Sequence, residues 1–263
     1  MPLASSLLRR SFAILFAASS AIASAQQAQT APKGYEPSVG QEGKDVVWVP
    51  TSDALVNKML DMAKVTSKDY VMDLGSGDGR TVIAAAKRGA RAQGIEYNPD
   101  MVALSQKNAE KAGVSKTATF MKADLFQTDF TKATVITMFL LPEINLKLRP
   151  KILAMKPGTR VVSNTFTMGE WQADETHTLG DESGCSSWCT ALLCIVPARA
   201  EGRHTIPDGE LVLKQDFQML SGTLRKAGGP VTVDGRVRGE EVSFKAGGKE
   251  YRGRINDGKL ELR

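Results

Sequence analysis

The chain is poor in the residues that metal centres and imidazole chemistry need. Its 263 residues include three cysteines and two histidines. Cys185, Cys189 and Cys194 form no CxxC pair, and His177 is the one imidazole near them. A zinc site is therefore poorly supported, and no metal is expected. His204 is the other histidine, which leaves little for a His-based general acid–base mechanism. The apolar run Phe12 to Ala23 is too short to span a bilayer comfortably. Charge of one sign is also scarce. The formal net charge is +5, and residues 211–263 hold 11 Lys/Arg against 7 Asp/Glu, so the excess lies in the tail. So small a surplus reads as a solvated surface rather than a nucleic-acid footprint, and leaves contact with an anionic membrane surface or an acidic protein open.

What remains is an ordinary globular composition, 42% hydrophobic and 24% charged, long enough for one good-sized domain and a small one. The N-terminus reads as an address rather than as fold. Arg9-Arg10 precede the apolar run, and Ala23-Ser-Ala25 before Gln26 matches an A-x-A cleavage site. A signal peptide over residues 1–25 is expected, then a Gln/Pro/Gly-rich linker over 26–45. The mature protein would be periplasmic or secreted; a retained membrane anchor is the alternative. Arg9-Arg-Ser-Phe12 also partly resembles a twin-arginine signal. An exported chain permits a disulfide, Cys185–Cys189 or Cys185–Cys194, with one thiol left over.

The informative stretch is Val71-Met-Asp-Leu-Gly-Ser-Gly-Asp-Gly-Arg80 with Gly94-Ile-Glu-Tyr97. Asp69 to Leu74 reads as a buried strand, Thr81 to Arg88 as a helix and Arg91 to Glu96 as the next strand. Between the first two, Gly75, Gly77 and Gly79 allow positive backbone dihedrals and a close backbone approach to a ligand. Glu96 falls 21 positions after Gly75, as does the ribose-binding acid of nucleoside-binding α/β folds. A dinucleotide site wants GxGxxG with a pyrophosphate on the helix N-terminus. Here Asp73 and Asp78 lie in or beside the loop. Carboxylates repel a pyrophosphate and suit the amino group and sulfonium of S-adenosylmethionine (SAM). SAM is favoured over NAD, and an NAD-dependent oxidoreductase is a distant reading.

The segment resembles the class I SAM-dependent methyltransferases. More closely, Trp48-Val-Pro-Thr-Ser-Asp53, the DLGSGDGR loop, Gly94-Ile-Glu-Tyr-Asn-Pro99 and Lys122-Ala-Asp-Leu-Phe126 resemble the mitochondrial-type protein-lysine methyltransferases. Those act on the adenine nucleotide translocase and the c subunit of ATP synthase. The resemblance runs from about Val46 to Trp171. It implies a Rossmann-like α/β sheet with helices on both faces, spanning residues 46–205. Cofactor contacts are expected from Asp73, Gly75, Ser76, Gly77, Asp78, Gly79 and Glu96. An acid at Asp124 typically meets the adenine amino group in these enzymes; a turn cap is its plainer role.

Further helices are expected over Ser52–Ala63, Pro99–Ala112 and Ile144–Met155, and strands over Ala118–Met121, Ala133–Leu141 and Thr159–Asn164. The fourth strand ends at Pro142-Glu143, the carboxyl edge where open α/β sheets place ligands. Leu140-Leu-Pro142 there is a candidate apolar wall for a lysine side chain. Pro142, Glu143 and Trp48 are the catalytic candidates, and Glu143 and Asp53 the candidate bases. Trp48 or Trp171 can stack on a cation, although packing is the commoner role of such rings. From 206 to 263 the pattern becomes short strands with turn signals at Gly228-Gly-Pro230, Asp234-Gly235, Gly247-Gly248 and Asp257-Gly258. This predicts an antiparallel meander or small half-barrel.

The expected function is methyl transfer from SAM to an amine, with a protein lysine first and a small-molecule or lipid amine as alternatives. A non-catalytic exported module keeping the fold, its β tail binding a partner, is the rival from another class. Export also raises a supply problem, because SAM is made in the cytosol.

Overall fold

A computed structural model describes residues 35–263. The expected signal peptide and the first part of the linker lie outside the described residues. The element order is α1 (Asp53–Met62), β1 (Tyr70–Leu74), α2 (Arg80–Lys87), β2 (Arg91–Glu96), α3 (Pro99–Lys111), β3 (Ala118–Lys122), β4 (Val135–Met138), α4 (Pro142–Leu153) and β5 (Arg160–Asn164). After these come β6 (Glu175–Thr178) and β7 (Thr190–Ile195), then seven further strands, β8 to β14.

The first sheet runs β3-β2-β1-β4-β5-β7-β6. Strands β1 to β5 are parallel, and β7 pairs antiparallel with both β5 and β6. Adjacent residues of β1 point to opposite faces, as pleating requires. Val71 packs with α1 and α2 through Leu55, Leu60, Val82 and Ala85. Met72 and Leu74 pack on the other side with Leu148 and Ile152 of α4. Helices thus cover both faces, which is why β1 and β4 are continuous apolar runs apart from Asp73 and Thr137. Chain order reverses between β1 and β4, and such a switch point opens a crevice beyond the strands' carboxyl ends.

Strand β7 is Thr-Ala-Leu-Leu-Cys-Ile, four of its residues buried, a run whose pattern does not distinguish strand from helix. Strand β6 is exposed throughout. Between them a disulfide joins Cys185 and Cys189, one of the two pairings open from the sequence. Cys194, in β7, is free and buried; burial pushes its thiol up to about 12, with Asp174 adding to the shift. A thiol reagent is expected to find no reactive group in native protein, one after denaturation and three after denaturation with reduction. One rapidly labelled thiol in the native state would contradict this arrangement.

The second sheet is an antiparallel meander of β8 (Gly202–Ile206), β9 (Gly209–Asp216), β10 (Met219–Lys226), β11 (Gly229–Arg238), β12 (Glu241–Ala246), β13 (Lys249–Asn256) and β14 (Lys259–Leu262). Its first and last strands approach each other, so the sheet curls around Leu211, Leu224, Val233, Val242, Phe244 and Ile255. It takes in 202–206, a few residues before the expected start at 206. One expected turn is corrected: Asp234-Gly235 lies inside β11. Gly235 pairs with Phe244, and a Cβ there would come within 2.4 Å of the Phe244 Cβ. The glycine serves close packing, not reversal of the chain.

The two sheets share an interface. Trp171 is fully buried and stacks on Phe217, with ring centroids 6.5 Å apart. The Arg149 guanidinium lies 5.2 Å from the Phe217 ring. Arg236 donates to the buried Asp174 carboxylate at 2.7 Å, and Arg238 contacts Glu175. Trp171 is therefore interface packing; a role stacking on an acceptor or cofactor is corrected. Truncating Arg236 to Ala would leave the buried Asp174 carboxylate with the Ile195 N–H as a donor but without its counter-charge. A loss of about 2 kcal/mol is expected from urea unfolding, below the full buried-pair cost because the arginine is half exposed.

Candidate active site

The crevice beyond β1 and β4 is a cleft with roughly 1060 Å³ of space including its open mouth, lined by the glycine turn and the segment 41–51 among others. The turn leaves β1 with Gly75, Gly77 and Gly79 at φ +77°, +54° and +84°. It is pinned to β2 by Gly75 and Ser76 N–H groups donating to the Ile95 carbonyl at 2.9 and 3.0 Å. A Cβ on Gly77 would stand 2.7 Å from Nε1 of Trp48, so only glycine lets the indole close on the loop.

The sequence assigns three carboxylates of this turn and the strand ends to the cofactor, and they have different fates. Asp73, near the end of β1, is almost wholly buried and accepts from the Thr137 hydroxyl at 2.6 Å. Burial pushes its carboxyl up to about 7, and the charges of Glu96 and Asp78 push the same way against the Thr137 hydrogen bond. Glu96 ends β2 and accepts from the N–H groups of Gly77, Tyr97 and Asn98, each at 2.9 Å. A carboxylate offers about four acceptor positions, so about one remains for a ribose hydroxyl. Asp78 is different. Its oxygens accept from Arg80 Nη2 at 2.6 Å and Nε at 3.0 Å, and one also accepts from the Arg80 N–H at 3.3 Å. It therefore lines the cleft as the partner of Arg80 rather than as a free counter-charge.

That pairing bears on the nucleotide class. Gly75, Ser76, Gly77 and Gly79 spend their N–H groups within the chain, and the Arg80 N–H that opens α2 is directed to Asp78. A pyrophosphate needs those donors free. A cationic ligand does not, and it would favour the ionised form of Asp73 that burial opposes. The Ser76 hydroxyl is buried without a hydrogen-bond partner, 2.4 Å from where a Gly94 Cβ would stand. It packs beneath the turn, although Ser76 also borders the cleft.

Asp124 lines the far side. Its Oδ1 caps the Phe126 N–H at 2.9 Å, and its Oδ2 accepts from Lys44 Nζ at 2.7 Å. The turn-capping role is present, and the carboxyl is held low first by the Lys44 hydrogen bond and then by the Phe126 N–H. Lys44 sits 4.9 Å from the Tyr97 ring, at the tip of a loop tied by Gly40 and Trp48 backbone hydrogen bonds. The sequence pattern held no signal for this contact across 80 residues.

The strand-end candidates divide. Leu140 is buried against the turn, its Cδ2 3.0 Å from where a Gly75 Cβ would stand. Pro142 and Glu143 open α4, exposed, and are not among the residues that line this cleft. Asp53 is also exposed, at the start of α1. Trp48 does line the cleft. Among the described residues no group of His, Cys, Asp or Glu is placed to hold a metal ion.

The ANTKMT methyltransferase domain matches residues 73–175. A protein-lysine N-methyltransferase of Saccharolobus islandicus is 43% identical over 139 residues, covering 52% of this chain and 86% of that protein. The chain belongs to this family of SAM-dependent methyltransferases. A Mus musculus lysine N-methyltransferase named for the c subunit of ATP synthase is 36% identical over 51% of this chain. The chain spans about half of that relative's length, 53%. Among solved structures, an RNA methyltransferase from Salinibacter ruber in complex with S-adenosyl-L-homocysteine is 44% identical with a TM-score of 0.54. It matches 57% of this chain and 95% of its own. The matches to these relatives cover little more than half of the methyltransferase and leave the rest of the chain unmatched. Bound SAM supplies an electrophilic methyl group on a sulfonium. Asp73 and Glu96 border the cleft where they would accept from its charged and hydroxyl-bearing ends, and Leu140 closes the turn side.

Proposed function

We propose that this methyltransferase transfers methyl groups to lysine side chains of a protein outside the cytosol. The single observation that carries the lysine reading is the cavity beside the cofactor cleft, which shares Phe139 and Leu140 with it and is walled by aromatic rings with Glu42 and Asp45 at its rim. Such a lining favours an alkylammonium over an anion. The names of the Saccharolobus islandicus and Mus musculus relatives support the same acceptor. A lysine must lose its proton first, at a cost of roughly 4–5 kcal/mol at pH 7. The apolar wall at Leu140, which lines both the cavity and the cofactor cleft, would lower that cost by disfavouring the ammonium.

Export is supported by the leader pattern of residues 1–25 and by the Cys185–Cys189 disulfide. A tagged full-length chain is expected in the envelope fraction with Gln26 at its new N-terminus.

The test is methyl-labelled SAM with mature enzyme and an envelope extract, followed by acid hydrolysis. Label in N-methyl-lysine is the expected result. Label confined to RNA, the substrate class for which the Salinibacter ruber protein is named, or to lipid, would overturn the lysine reading.

A further inference from the structure

The cavity beside the cofactor cleft has a wall that the family resemblance does not reach. Phe139, just beyond β4, stacks on Phe166 with centroids 5.9 Å apart and 20° between planes. Trp188 meets Phe139 at 6.1 Å and 57°. Trp188 lies in the five-residue ring closed by Cys185 and Cys189 and is 44% exposed. Two of these rings are presented by unusual backbone. Trp188 itself has φ +51°, and Thr165, next to Phe166, has φ +59°, conformations that bulky or branched residues avoid. Local bonds hold them. Thr165 N–H donates to the Thr190 carbonyl at 2.7 Å, and the buried Asn145 amide donates to the Phe166 carbonyl at 3.2 Å. The Leu179 N–H fixes the Cys189 carbonyl at 2.9 Å.

We propose that Phe139, Phe166 and Trp188 form the acceptor vestibule, an aromatic site for an alkylammonium side chain, and that the Cys185–Cys189 disulfide holds Trp188 as its outer wall. The proposal rests on the lysine reading above and extends it to a specificity-determining residue outside the matched domain. Three arguments converge. The vestibule opens onto the cofactor cleft through Phe139 and Leu140, so an amine entering it is directed at the methyl-transfer end. Aromatic faces attract a cation, more strongly when it is partly desolvated. The carboxylates of Glu42 and Asp45 border the same cavity. Lys44 lines it too, but it is bonded to Asp124 at 2.7 Å with Asp45 3.7 Å away, so the excess charge there is negative and complements an ammonium. Trp188 is a positioning residue for the acceptor in this scheme. Cleaving the disulfide frees the ring that presents it, so an oxidising compartment becomes a condition for acceptor binding.

The probes are Nα-acetyl-lysine methylamide and its trimethyl form, with the norleucine analogue as the uncharged control. They are titrated into mature enzyme saturated with S-adenosylhomocysteine, and binding is read by chemical shifts of the aromatic protons. Both cationic probes are expected to bind at least fivefold more tightly than norleucine. Trp188→Ala should remove most of that difference and Trp188→Phe should restore part of it. Reduction, or the Cys185→Ser/Cys189→Ser pair, should resemble Trp188→Ala. In all of these the affinity for S-adenosylhomocysteine should stay within twofold of the parent, which a variant that had merely lost its fold could not do. Norleucine binding as well as lysine, or Trp188→Ala leaving the preference intact, would overturn the vestibule. The methyl-lysine assay above stands apart: N-methyl-lysine produced by a Trp188→Ala enzyme with unchanged KM would refute the vestibule and keep the lysine reading. Label outside lysine would refute that reading whatever the probes do.

Discussion

Asp73→Asn is expected to weaken SAM binding by roughly 10- to 100-fold and, at the same time, to stabilise the ligand-free fold. The two effects share one cause. Asp73 is buried near the end of β1 with its carboxyl pushed up to about 7, against an ordinary aspartate near 3.9. Between those values the unfolded chain carries the charge and the folded chain does not. The folded-state value is the higher one, so the penalty is absent below about pH 4, grows as pH rises to about 7 and is constant above. Asparagine removes it at every pH while its carbonyl still accepts from Thr137. The stability gain should therefore be about 2–3 kcal/mol larger at pH 8 than at pH 5, measured as urea midpoints without SAM. An equal gain at both pH values would show that Asp73 is not the group that titrates.

The same linkage predicts how the parent binds. A cation in the cleft favours ionised Asp73, so SAM affinity should rise between pH 6 and pH 7.5. Binding at pH 6.5 should release a proton, visible as a calorimetric heat that depends on the buffer. Flat affinity across this range would separate Asp73 from the cofactor. A carboxylate kept in place at a cost to stability is what a binding site requires, and its neighbours Val71, Met72 and Leu74, all apolar and buried, show no such conflict.

The cofactor half was legible because its information is local. Strand β2 ends at Glu96 as the pattern predicts, Ser52 caps α1 through the Leu55 N–H, and Asn98 caps α3 with Pro99 following. Each depends on neighbours within a few residues. The acceptor half depends on contacts that no short window contains. Phe139, Phe166 and Trp188 meet from three separate segments, and Lys44 reaches Asp124 from the N-terminal loop. A tryptophan inside a Cys-x3-Cys ring was the one available sign. Asp78 shows the limit from the other side. An acid in a glycine turn suggests a cationic ligand, yet the residue two positions on, Arg80, claims it. Pairing within the turn, rather than composition, decides which acid is left without a cationic partner of the chain's own.

Glu96→Ala should be the more damaging change, since it removes an acceptor from three backbone donors as well as from the ligand. The parent carboxylate holds the N–H groups of Gly77, Tyr97 and Asn98, which joins the glycine turn to the end of β2 and the start of α3. Alanine leaves those donors without it, at about 1–3 kcal/mol for each that water does not reach. The Gly77 tie matters most, because that residue sits at φ +54° beneath Trp48. Losing it releases both the loop and the indole. SAM affinity should fall at least 100-fold by calorimetry, and the apo protein should lose about 2 kcal/mol. Glu96→Gln separates the contributions. Its carbonyl can still accept from Tyr97 and Asn98, but its amide then faces the Gly77 N–H, donor against donor. Glutamine should therefore recover part of the stability and little of the affinity. If Glu96→Ala bound SAM as tightly as the parent, the ribose role would be lost, and the residue would be left as a strut between β2 and the turn.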